Sequence, residues 1–77
     1  MKISYDPEYN IAYIKVREKT TDVETIQISE EINIDMTPDG KIYGIELLNA
    51  NEQLEFEKHK ELVIFNEMTG QKAALSI

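Results

Sequence analysis

The sequence predicts a mostly β protein, an antiparallel β-meander with one short helix, or α+β on a permissive count. Three observations predict it. Apolar residues alternate with polar ones in several short runs, as half-buried strands require. Turn chemistry separates those runs at short intervals, so consecutive strands fold back on their neighbours. Helix signals begin near Asn49 and are brief.

Lys2 to Tyr5 is the first strand, with Ile3 and Tyr5 on one face. Asp6-Pro7-Glu8-Tyr9-Asn10 is a turn: Asp6 and Pro7 initiate it, and Asn10 can take a left-handed conformation. Ile11 to Val16 is the second strand. Ala12, Ile14 and Val16 share one face, and Ile11, Tyr13 and Lys15 share the other. Apolar groups on both faces place this strand inside the sheet. Arg17 to Asp22 is a polar connection. Val23 to Ile28 is the third strand, with Ile26 and Ile28 inward, and Ser29-Glu30-Glu31 turns the chain.

Ile32, Ile34 and Met36 alternate with Asn33 and Asp35, the clearest one-sided strand in the chain. Pro38-Asp39-Gly40 then makes a tight turn. Proline presets φ, Asp39 can bond its own backbone, and Gly40 accepts positive φ. Ile42 to Leu48 is the fifth strand, and Gly44 within it marks a bulge or the close approach of another backbone. Pro38, Asp39, Gly40 and Gly44 are therefore read as structural residues. Ile14, Ile34 and Ile45 are expected to be buried together.

Asn49 or Asn51 is expected to cap a short helix running to about Lys60. Glu52 suits the positive end of its dipole, and Lys58 and Lys60 suit the other. Ala50 and Leu54 face the sheet. Phe56 falls off that face, as a partner contact or a partly exposed ring. Leu62 to Phe65 is the sixth strand, Asn66-Glu67-Met68-Thr69-Gly70 a turn, and Gln71 to Ile77 the seventh strand.

Seventy-seven residues make one small domain, 1–77, with a thin core. Without cysteine, neither a disulfide nor a thiolate metal site reinforces it. Two-faced strands and a thin core favour a homodimer, with Leu62 to Phe65 and Leu75 to Ile77 as the expected interface.

Fifteen Asp and Glu against eight Lys and Arg give a net charge of −7, without a Lys/Arg cluster, which disfavours direct nucleic-acid binding. An acidic surface suits a basic protein partner, and net charge also serves solubility. Glu52, Glu55 and Glu57 beside Phe56 are the expected partner-binding residues. No apolar run is long enough to cross a bilayer, and the N-terminus lacks a signal peptide's apolar centre. A cytoplasmic protein without membrane contact is expected.

Chemistry is sparse. His59 is the single histidine, flanked by Glu57, Lys58 and Lys60 as on a solvated surface. A general base needs positioned partners, which the sequence does not supply. Asp35, Asp39 and Glu46 lie on or beside one hairpin but lack the spacing of a calcium loop. Asp39-Gly40 is ordinary hairpin chemistry, and strand alternation turns Glu46 outward. Tyr5, Tyr9, Tyr13 and Tyr43 lack basic neighbours and so suit a core or a protein interface more than base stacking. Gly40, Gly44 and Gly70 are isolated and form no phosphate loop. Neither catalytic residues, metal ligands nor a cofactor are expected. The alternative is a small-molecule or metal-binding domain, or an orphan enzyme, using the carboxylates of the Asp35–Glu46 hairpin.

Met1-Lys2-Ile3-Ser4-Tyr5-Asp6-Pro7-Glu8 followed by Ala12-Tyr13-Ile14 resembles the opening of the DUF2283 family of small prokaryotic proteins of unknown function. Asp35, Asp39-Gly40 and Gly44-Ile45-Glu46-Leu47-Leu48-Asn49-Ala50 continue the likeness, which covers about residues 1–54. Ile11 stands where that family often carries Asp, and residues 55–77 form an unmatched C-terminal extension. Members are often encoded beside small toxin-like proteins. The resemblance therefore implies, by analogy, a non-catalytic antitoxin-like partner of a small basic toxin.

Overall fold

A computed structural model describes residues 1–18 and 22–76. Seven strands and one helical turn follow in the order β1 (Lys2–Asp6), β2 (Ile11–Lys15), β3 (Glu24–Ser29), β4 (Ile32–Met36), β5 (Ile42–Leu48), α1 (Ala50–Gln53), β6 (Glu61–Phe65) and β7 (Lys72–Ser76). The protein is mostly β, antiparallel, with one short helix. Strands β1 to β5 form a single sheet in the order β1-β2-β5-β4-β3, and β6 pairs only with β7. The meander holds over β3–β4–β5 and in the β1–β2 hairpin. It breaks between β2 and β3, because β2 pairs with β5. The polar connection after β2 thus carries the chain to the far edge of the sheet, with Lys19 to Thr21 outside the described residues.

Register sorts the side chains into two faces. Ile3, Ile14, Ile45, Ile34 and Ile26 are directly opposite one another in turn, one from each strand across the sheet. Tyr5, Ala12, Leu47 and Ile32 make the next row on the same face. The other face carries Ser4, Tyr13, Glu46, Asn33 and Gln27 in one row, and Lys2, Lys15, Gly44, Asp35 and Thr25 in another. The period-two pattern of the sequence is therefore realised as one apolar and one polar face.

The core lies where α1 meets the second apolar row. Ala12, Leu47 and Ala50 are buried, with Tyr5, Ile14, Ile32, Ile45, Leu54 and Phe56 packed against them. Ala50 and Leu54 face the sheet as expected. Ile14, Ile34 and Ile45 do lie together on one face, but each is only half-buried, because nothing among the described residues lies fully over their row. Ile28, expected inward, is exposed: a bulge between Gln27 and Ser29 takes it out of register.

The helix stops far short of Lys60. It ends at Gln53, and Glu55 takes a φ of 51°, in the left-handed region that an α-helix cannot continue through. The backbone then turns through Glu55 to His59, whose N–H donates to the Glu55 carbonyl at 2.8 Å. Asn49 occupies the N-cap position with a φ of 52° but gives α1 no side-chain cap, and Asn51 lies inside the helix.

The turns match their chemistry. Asn10 is left-handed at φ 57°, after Asp6 Oδ1 accepts the Glu8 N–H at 2.9 Å. Gly40 has a φ of 81° and donates its N–H to the Thr37 carbonyl at 2.9 Å, closing the Pro38–Asp39 turn. Thr37 is buried beneath it and bonds Asp39 and the Lys41 carbonyl through its hydroxyl. In the β6–β7 turn, Asn66 Oδ1 accepts the Met68 and Thr69 N–H groups at 3.0 and 3.2 Å, and Gly70 has a φ of 74°. The last expected strand residue, Ile77, lies outside the described residues. No described helix is long and apolar enough to cross a membrane.

Candidate interaction site

The α1 end of the molecule is built on asparagines. Asn10, held left-handed at the β1–β2 turn, reaches across to the chain forty residues later. Its Nδ2 donates to Asn51 Oδ1 at 2.6 Å and to Asn49 Oδ1 at 3.2 Å. Its Oδ1 accepts the Asn51 N–H at 2.9 Å and the Tyr5 hydroxyl at 3.3 Å. The Asn10 carbonyl takes the Ala50 N–H at 3.0 Å. One turn residue thus supplies partners for two backbone donors at the start of α1, the role a side-chain cap usually fills. Gln53 closes the other side, donating to the Leu48 carbonyl at 2.6 Å and the Glu31 carbonyl at 3.0 Å.

This scaffold positions the acidic residues expected to bind a partner. Asn49, Asn51, Glu52, Glu55, Glu57 and Lys58 line an open hollow of about 350 Å³. Glu52, Glu55 and Glu57 are exposed. Glu52 accepts the Asn49 side-chain amide at 2.7 Å, and Glu55 lies 3.3 Å from His59 Nε2. Phe56 stands apart from them. It is half-buried and turned inward, edge-on to Tyr5 with ring centroids 4.7 Å apart. The reason is the left-handed Glu55, which ends the helical direction and starts a turn closed by the Lys58 and His59 N–H groups on the Glu55 carbonyl. Phe56 is part of the packing under the acidic surface.

The Asp35–Glu46 hairpin disperses its carboxylates. Asp35 accepts the Tyr13 hydroxyl at 2.7 Å and the Thr25 hydroxyl at 2.6 Å. Glu46 accepts the Asn33 amide at 2.9 Å. Asp39 bonds Thr37 and lies 3.6 Å from the Arg17 guanidinium. Each carboxylate has its own partners, and among the described residues no group of three or more His, Asp or Glu is placed to hold a metal ion. The Thr37 hydroxyl, with Arg17 assisting, holds the Asp39 carboxyl below the usual carboxylate range. Burial first, and then the hydrogen bond to Asp35, push the Tyr13 hydroxyl above its usual value.

Gly44 is structural but is not a turn residue. It sits mid-strand in β5, buried, and the Tyr13 ring occupies the space that a Cβ there would need. The close neighbour is thus a side chain, and a bulge between Asp35 and Met36 lies beside it. By sequence Asn10 is a turn residue and Tyr13 one of four tyrosines in or beside strands. The signal that singles out Tyr13 is pairing: Tyr13 and Gly44, a large and a small residue, meet diagonally once β2 pairs with β5.

No curated protein and no solved structure matches the chain. A family model described as "Protein of unknown function (DUF2283)" matches residues 2–51, a span that runs from β1 into α1 and contains the whole five-stranded sheet and the Asn10–Asn51 network. Since that match covers well over half of the sequence and ends where the helix begins, the chain belongs to the DUF2283 family, and the β6–β7 hairpin lies outside the matched region.

Proposed function

We propose that the protein is a non-catalytic, cytoplasmic interaction module that binds a basic protein partner, in the manner of an antitoxin-like module that neutralises a small basic toxin. The observation that supports this reading is the open hollow of about 350 Å³ at the α1 end, bordered by three exposed glutamates. In a chain of net charge −7, such a surface attracts and orients a cationic partner before contact. The hollow suits Lys or Arg side chains, whose charged heads the Glu52, Glu55 and Glu57 carboxylates can meet. The Asn10 network holds the backbone of that surface in place, so little ordering remains to be done on binding.

The test is the kinetics of association with small basic proteins encoded beside the gene, at low and high salt. Association is expected to slow steeply with salt, because opposite charges are screened beyond about 8–10 Å at ordinary ionic strength. Glu55→Lys with Glu57→Lys is expected to slow association about tenfold or more, with little change in dissociation. Phe56→Ala is expected to loosen the Tyr5 contact and lower stability without selectively speeding dissociation. Salt-independent association, or no binding to any such protein, overturns the reading.

A further inference from the structure

A second surface, independent of the acidic hollow, is unfinished in the single chain. The row Ile3, Ile14, Ile45, Ile34 and Ile26 crosses all five strands, yet Ile3 is 39% exposed and the other four are only half-buried. Among the described residues no large side chain is fully buried. The β6–β7 hairpin approaches this face over β1, where Leu62, Ile64 and Leu75 line an apolar groove of about 410 Å³ with Ile3, Tyr5 and Phe56. The rows on β2, β5, β4 and β3 lie beyond it.

Three quantities say what is missing. The surface of the chain is 6188 Å², against about 4,800 Å² for a folded monomer of 8.9 kDa. The excess of about 1,400 Å² is more than the ~800 Å² that one partner contributes to a stable interface. The radius of gyration is 14.0 Å, where about 11.5 Å is usual for this length. The molecule is a slab of 34 × 34 × 20 Å, a sheet whose second layer, α1 and the hairpin, covers only part of its apolar face.

We infer that the isoleucine face is the interface of a homodimer, covered by the same face of a second copy in a sheet-on-sheet sandwich. A second copy fits what the face presents. The sheet's Lys2, Lys15, Asp35 and Glu46 all lie on the opposite face, so two chains of charge −7 can meet without opposing their strand charges. Glu24, opposite Met36, sits at the margin, where water reaches it. Flat apolar faces of twisted sheets pack on one another about 10 Å apart with interdigitated branched side chains. β5 is the middle strand of the five, so a two-fold axis through the face brings Ile45 close to its own copy. The interface is therefore the sheet face, and not the Leu62–Phe65 hairpin that the sequence pattern favours.

The natural absence of cysteine makes the test direct. Sedimentation of the full chain is expected to give twice the mass of one 8.9 kDa chain. Its melting temperature is expected to rise by about 4 °C per tenfold increase in concentration, because folding and pairing are coupled. Single-cysteine variants locate the face. Ile45→Cys, whose side chain remains apolar, is expected to cross-link into covalent dimers under mild oxidation, and Val63→Cys on the hairpin is expected to stay uncross-linked. A strict monomer with a concentration-independent melting temperature overturns the proposal. So does a dimer that cross-links through Val63→Cys and not through Ile45→Cys.

Discussion

The five-stranded sheet and the β6–β7 hairpin are both antiparallel, both rich in aliphatic side chains, and held in different ways. In the sheet, each strand but the edges has two neighbours, and side-chain bonds run across it: Tyr13 to Asp35, Thr25 to Asp35, Asn33 to Glu46. In the hairpin, described side-chain bonds are confined to the turn, and of its ten strand residues only Leu62 is half-buried while the rest are exposed. A two-stranded ribbon alone is marginal in water. The family match spans the sheet and the first residues of α1 and ends before the hairpin, which meets the rest of the chain through Leu62, Ile64 and Leu75. Hydrophobic composition alone does not make a strand stable; lateral partners and a covering layer do.

The largest expected difference between the two regions lies in core truncation. Leu47→Ala, at a side chain only 9% exposed between α1 and the sheet, is expected to cost about 2–5 kcal/mol. Leu75→Ala, 59% exposed on β7, is expected to cost about 0.5 kcal/mol or less. Denaturant melts at one fixed protein concentration check both. Equal losses would show that the hairpin is packed as firmly as the sheet.

Next come the glycines. Gly44→Ala drives a methyl into the Tyr13 ring and is expected to cost about 1–3 kcal/mol, with loss of the Tyr13–Asp35 bond. Gly40→Val keeps open space but forces a β-branched residue to positive φ, at a cost of about 1 kcal/mol or more. Gly70→Ala in the hairpin turn strains the backbone in the same way, yet it is expected to open only the hairpin. Thermal melts paired with hydrogen exchange separate global from local loss. A Gly70→Ala variant that lowers the melting temperature as far as Gly44→Ala does would couple the two regions.

Wild-type hydrogen exchange sharpens the same contrast without a substitution. Amides of β4 and β5 are expected to exchange only through global unfolding. Those of β6 and β7 are expected to open locally and exchange at least tenfold faster. Uniform protection through Phe65 would merge hairpin and sheet into one cooperative unit.

The smallest effects are titrations, and both belong to the sheet. Asp39 has its carboxyl pKa lowered on folding from an ordinary 3.8, so its contribution is present above that value. It is lost as pH falls through the folded value. Tyr13 has its hydroxyl pKa raised on folding from an ordinary 10.0. Its contribution is complete below pH 10 and is lost as pH rises further, because the unfolded chain gives up the proton first. Melts of Thr37→Val and Tyr13→Phe against pH are expected to flatten the acid and alkaline limbs respectively. Unchanged limbs would remove these two contacts from the account of the sheet.

Much of this molecule is legible in the chain. Alternation, with a short apolar run at β6, located the seven strands to within a residue or two over the described residues, and Asp6-Pro7, Asn10, Pro38-Asp39-Gly40 and Asn66–Gly70 located turns between them. These features are local: side-chain period and turn dihedrals depend on neighbours in sequence. The same alternation correctly put Ile14, Ile34 and Ile45 on one face. It could not say how deeply they sit, because burial depends on what lies over the row. The helix failed for a comparable reason. Favourable residues run past Gln53, but Glu55 turns left-handed, Phe56 packs on Tyr5, and a tertiary contact overrides helix propensity.

The acidic residues were legible as a charge run, but the hollow they border depends on Asn10 bonding Asn51 across forty positions. The strand period, the turns, the two-faced character of the sheet and the family can be read from the residues in order. Folding in space was needed to choose that β2 pairs with β5, that Tyr13 fills the space over Gly44, that Phe56 turns inward, and that the isoleucine row is only partly covered. Those are contacts between residues far apart in the chain, and their choice rests on which distant surfaces fit together.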